Sequence, residues 1–126
     1  MKLPIDPSPD DLRAWANDPD ASPLKGDWEL VLTWDMEPGR LRACIELAET
    51  HTNPHFVFFR QVLLEWVCQA VRSPEFAQRR QLYDAWLDQA KGIRDPWLKN
   101  WRHTAKLIFK GLEPYDNASW WARLQE

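Results

Sequence analysis

The chain has 126 residues, enough for one domain that buries roughly two-thirds of its unfolded surface. Its net charge of −3 and pI near 5.6 make it a poor generic nucleic-acid binder. No uncharged apolar run reaches the length of a signal peptide or a membrane span, so a cytoplasmic protein without a membrane partner is expected.

Two features of the totals stand out. Nine tryptophans imply either an aromatic-rich core or a recognition surface, where tryptophan is over-represented. The charge is also uneven. Residues 1–50 hold eleven acidic against five basic residues, whereas residues 51–126 hold eight against eleven. That asymmetry predicts electrostatic recognition, of another molecule or of one half by the other.

Helix starts can be read from five positions where a capping residue precedes proline: Ser8-Pro9, Ser22-Pro23, Asn53-Pro54, Ser73-Pro74 and Asp95-Pro96. The residue before proline is driven to extended backbone, as an N-cap requires, and proline at the first helical position loses no hydrogen bond. Residues 1–7 read as an extended lead. Ser8-Pro9 then opens a short helix with Leu12, Trp15 and Ala16 inward, followed by a loop over 17–22.

Residues 28–34 fit either a helix or a half-buried strand, and helix is the favoured reading. As a strand, the segment would offer an edge for a second copy of the chain, so a homodimer is conceivable there. After Glu37-Pro38-Gly39 a helix is predicted to about His51, burying Leu41, Cys44, Ile45 and Ala48. Asn53-Pro54 opens the longest apolar helix, to about Arg72. Its polar stripe is so narrow that the helix must be surrounded by others. Ser73-Pro74 opens a helix stopped by Gly92, Asp95-Pro96 opens one closed by Gly111, and Asp116 or Asn117 caps a last turn.

The helices behind Pro54, Pro74 and Pro96 share a register, with Arg60, Arg80 and Arg102 each six residues on. The period allows HEAT-like antiparallel helix pairs. The predicted fold is one all-α domain, residues 1–126, built as a bundle of five to seven helices.

Catalytic chemistry finds little support in the inventory. Of four serines, Ser8, Ser22 and Ser73 serve as caps, and Ser119 has no nearby histidine in sequence. Cys44 lies on an apolar face as an inert thiol, and Cys68 nearer the polar stripe of its helix, where partial exposure is expected. Glu49, His51 and His55 could meet around an ion, but Asn53-Pro54 separates the histidines, and surface histidines are the simpler reading. Asp84 and Asp88, with Lys91 beyond, read as a solvated face with local pairing. No metal, cofactor or catalytic residue is therefore assigned.

Arginines on apolar arcs and a basic stripe remain. Arg60 and Arg79 fall among apolar positions and need either a buried carboxylate, with Asp35, Glu46 and Glu49 as candidates, or a path for the head to water. Lys99, Arg102, Lys106 and Lys110 recur at spacings of three and four, with His103 beside them. The acidic segment Asp6, Asp10, Asp11, Asp18 and Asp20 would steer a basic protein partner. Size, acidity and aromatic content together suit a non-catalytic module that binds and modulates another protein, of the immunity, antitoxin or adaptor type. Nucleic-acid binding through the stripe, or an enzyme with a pocket assembled from distant residues, are the alternatives.

Overall fold

The structure, a computed structural model, describes residues 3–4, 6–21, 35–49, 51, 53–90 and 92–125. Among these the protein is all-helical and no strand occurs. The helices are α1 (Pro9–Ala16), α2 (Pro38–Glu49), α3 (Phe56–Arg72), α4 (Phe76–Gln89), α5 (Pro96–Phe109) and α6 (Asn117–Ala122), followed by a 3-10 turn over Arg123–Gln125. The start predicted at Ser22-Pro23, and the 28–34 segment with its dimer edge, lie outside the described residues. Two units are distinguished, Met1–Leu63 and Leu64–Glu126, and the division falls within α3.

In the first unit α1 starts where the sequence places it. The Ser8 hydroxyl accepts the Asp11 N–H at 3.1 Å, and the Asp11 carboxylate accepts the Ser8 N–H at 3.0 Å, a complete capping box. Leu12, Trp15 and Ala16 are fully buried. Trp15 packs on Phe58 and Phe59 with centroids 5.3 and 6.0 Å away, and on the His55 ring at 4.7 Å. Arg13 ties α1 to α2 through Glu46, 3.1 Å away, and also pairs with Asp10.

One buried charge lies where the sequence reading did not look. Arg40 of α2 is only 6% exposed. Its Nε donates to the Pro7 carbonyl at 3.1 Å, one Nη to the Asp35 carbonyl at 2.8 Å, and the other to the Asp6 carboxylate at 2.5 Å. This guanidinium holds the lead segment before α1 and the segment before α2 on one side chain, and a carboxylate partner is what makes such burial tolerable. Arg79 behaves oppositely. It is exposed, 3.4 Å from Glu75, with its head in water. Arg60 lies over the Phe56 ring, and its Nη2 is 3.0 Å from the His51 ring nitrogen.

Two helix starts fall later than the sequence suggests. α3 begins at Phe56 and α4 at Phe76, so Pro54 and Pro74 sit in the turns ahead of them. Asn53 is nonetheless a joint. Its Oδ1 accepts the His55 N–H at 2.8 Å and its Nδ2 donates to the Leu47 carbonyl at 3.1 Å, closing the end of α2 onto the start of α3. Ser73 accepts the Glu75 N–H in the same way. An Asx or Ser turn competes with a true N-cap for the same residues, and here the turn wins. α2 likewise ends at Glu49, short of His51.

The second unit is organised around aromatic rings. Trp66 meets Phe109 at 5.4 Å, Tyr83 at 5.6 Å, Trp101 at 6.4 Å and Trp86 at 6.5 Å. Among the described residues every tryptophan is buried or half-buried. The core reading of the tryptophans therefore stands there, and the exposed-surface reading does not. Cys68, expected to be partly exposed, is 2% exposed because the loop and helix carrying Tyr115 and Asn117 cover it; the thiol lies 3.8 Å from the Asn117 Oδ1. The same oxygen accepts bonds from Tyr115 and Arg72.

α5 opens on Asp95, whose carboxylate accepts the Leu98 N–H, and closes with Gly111 at φ +75°. The Gly111 N–H bonds the Ile108 carbonyl and the Leu112 N–H the Leu107 carbonyl, a Schellman end that requires the left-handed backbone glycine allows. α6 is capped by Asp116. Its Trp120 indole donates to the Leu64 carbonyl of α3 at 2.9 Å.

The Trp101 indole N–H, equally buried, meets no acceptor among the described residues. The two tryptophans thus separate volume from hydrogen bonding. Trp120→Phe should cost about 1 kcal/mol more than Trp101→Phe, since only the former breaks a buried hydrogen bond. Urea unfolding of both variants measures the difference, and equal losses would contradict it.

Candidate functional site

The site with the most chemistry on it is formed by α4, α5 and the chain between them. Helix periodicity puts Lys99, Arg102, His103, Lys106 and Lys110 on one face of α5, and all five line a groove of about 570 Å³. Ala90, Ile93 and Leu107 add apolar surface to the same wall. The sequence-predicted stripe is therefore brought together as one concave, cationic surface.

Its members are not equivalent. Lys99, His103 and Lys110 are exposed, and among the described residues no carboxylate stands within ion-pair distance of them. Arg102 and Lys106 are half-buried and engaged. The Arg102 Nε donates to the Leu87 carbonyl at 2.8 Å, supplying a cation where the C-terminal turn of α4 presents carbonyls. Its Nη2 lies 3.7 Å from Asp88. The Lys106 ammonium is 3.0 Å from Asp84 and hydrogen-bonds Asp88 as well.

Electrostatics follows from these contacts. Burial pulls Lys106 down, but its hydrogen bonds to Asp88 and Asp84 outweigh that and hold its pKa above the ordinary lysine value. The Lys106 hydrogen bond keeps Asp88 below the usual carboxylate range, with the charges of Arg102 and Lys110 adding to it. Both groups are firmly ionised at neutral pH.

The acidic pair was visible in sequence but assigned to solvent and to Lys91, which lies outside the described residues. Asp88 is indeed exposed, but the structure corrects the reading for Asp84. Asp84 is only 20% exposed, and its partner is Lys106 of the next helix. Asp84 meets Lys106 and Asp88 meets Arg102, so numbers rise on one helix as they fall on the other, the relation of an antiparallel pair. Two opposite-sign i,i+4 pairs on consecutive helices were the signal that could have found it.

Most of the acidic candidates also make local contacts. Asp11 completes the α1 capping box, Asp10 pairs with Arg13, and the Asp18 carboxylate accepts the Asp20 N–H at 3.0 Å. Asp20 itself is exposed at the turn after α1. Asp10 and Asp11 thus serve the start of α1, and Asp18 the turn that follows its end.

The remaining chemistry-bearing groups are dispersed. Cys44 is fully buried, and loss of solvation pushes its thiol up to about 12, far from a reactive thiolate. His51 stacks on Phe56 while His55 lies tilted against Trp15, so the two rings face different surroundings. No group of three metal-ligating side chains gathers among the described residues. Ser119 donates both its N–H and its hydroxyl to Asp116 as part of the α6 cap. Tyr115 is held above the ordinary tyrosine value by burial and by its neighbour Cys68. No described helix is long and apolar enough to cross a membrane. No protein-family model matches the chain, and neither does a curated protein or a solved structure.

Proposed function

We propose that this protein is a non-catalytic binding module that docks an acidic segment of a partner protein in the groove lined by α5 and the chain ahead of it, and thereby modulates that partner. The observation that carries the reading is the groove itself, lined by two exposed lysines, Lys99 and Lys110, with His103 beside them and apolar side chains in its wall. Exposed like charges facing a common concavity raise the local concentration of an oppositely charged partner and orient its approach. From Lys99 to Lys110 the helix advances about 16 Å, the span of about five residues of extended chain. An acidic peptide strand with an occasional apolar residue matches that length and lining.

A reading based on the acidic segment near α1, with a basic partner, is less well supported because those carboxylates already cap and pair locally. The test is calorimetric titration of the full chain with a hexaglutamate peptide at low salt. The double variant Lys99→Glu with Lys110→Glu leaves Lys106 and its ion pairs in place, so the helix pair should survive. It should bind the peptide at least roughly tenfold more weakly than the parent. Equal binding by parent and variant, no binding by the parent, or submicromolar binding of a mixed-sequence oligonucleotide at physiological salt would each overturn the proposal.

A further inference from the structure

Asp88 occupies an unusual position for a structural carboxylate. It stands in the last turn of α4, where the helix dipole disfavours a negative charge, yet its side chain is 60% exposed. What offsets the dipole is the pair of groove cations it touches, Lys106 and Arg102. Each cation has a second partner besides Asp88. Arg102 is anchored through Nε by the Leu87 carbonyl, and Lys106 is held from the inner side by the half-buried Asp84. If the Asp88 side chain turned away, both cations would keep their positions and face the groove with one fewer counter-charge.

We infer that Asp88 is an internal stand-in for a partner's carboxylate, and that an acidic ligand reaches Arg102 and Lys106 by taking its place. The inference rests on the docking reading above and deepens it. The chain's own carboxylate shows what these two cations are arranged to receive: one carboxylate oxygen, hydrogen-bonded by the ammonium and lying 3.7 Å from the anchored guanidinium. Lys99 and Lys110 then receive the neighbouring charges of the same segment. An exposed ion pair contributes little to stability, so exchanging it for an intermolecular one costs little. Asp88 would thereby set the affinity of the groove and reject single, weakly held anions.

The experiment compares the parent, Asp88→Asn and Glu113→Gln by calorimetric titration with hexaglutamate peptide. Glu113 is an exposed carboxylate that, unlike Asp88, pairs with neither Arg102 nor Lys106, so its removal matches the change in net charge without touching these cations. Asp88→Asn should bind roughly fivefold more tightly than the parent, the worth of one exposed ion pair, while Glu113→Gln should bind as the parent does. Parent binding with no gain in Asp88→Asn, or an equal gain in both variants, overturns the exchange and leaves the docking reading standing. Absence of binding in all three proteins sinks the docking reading and the exchange with it. Thermal melting of Asp88→Asn should show a folded protein, because Asp84 still holds Lys106.

Discussion

Replacing Trp66 by alanine should remove about 3–5 kcal/mol of stability, the range for deleting a large buried aromatic. Trp66 is 8% exposed and its indole is the meeting point of Tyr83, Trp86, Trp101 and Phe109 in the second unit. Those four rings come from two other helices, so none can close the space left without breaking contacts of its own. A domain possesses about 5–15 kcal/mol in all, so the variant should melt many degrees lower or fail to fold cooperatively at all. Chemical denaturation followed by far-ultraviolet dichroism measures the loss. A change under about 1 kcal/mol would mean the aromatic cluster is not what holds the second unit together. Trp66→Phe, which keeps a ring in place, should recover most of the stability.

Arg40→Lys should be nearly as damaging to the first unit, by about 2–3 kcal/mol, although it preserves the charge. The guanidinium delivers donors in three directions, to the carbonyls of Pro7 and Asp35 and to the Asp6 carboxylate. A lysine ammonium is a single point without the spread of the guanidinium fork and cannot serve acceptors so far apart. At least one buried or half-buried carbonyl would lose its donor, and such a group costs more unsatisfied than its hydrogen bond contributes when made. Asp6→Asn should matter far less, because Asp6 is 86% exposed and water can replace it. Denaturation midpoints of Arg40→Lys and Asp6→Asn test the contrast, and comparable small losses in both would refute it.

How much of this was legible in the sequence depends on how local the determining interaction is. Ser8, Asp95 and Asp116 cap their helices with their own side chains, within three residues, and were readable. Asn53 and Ser73 carry the same signature but form turns first. Asn53 does so because its amide is drawn to Leu47 across the junction, a contact the capping pattern does not encode. The basic stripe was readable because periodicity alone gathers it on one face. Its pairing with Asp84 and Asp88 required knowing which faces of α4 and α5 meet. Arg40 was invisible for a further reason: two of its partners are backbone carbonyls, and every residue has one.

The bond from the Trp120 indole to the Leu64 carbonyl also bears on the order in which the second unit assembles. It joins positions 56 residues apart, so closing it carries one of the larger chain-entropy costs in the unit. A six-residue helix such as α6 has no persistence in water by itself, since nucleation alone outweighs what so few hydrogen bonds return. Its helicity is therefore borrowed from docking: α3 must already offer its buried flank before Trp120 finds a site and the turn from Asn117 winds up. Locally closed pieces, α4 on α5 and the capped start of α5, are on hand early, and the last tryptophan acts as the latch that sets afterwards.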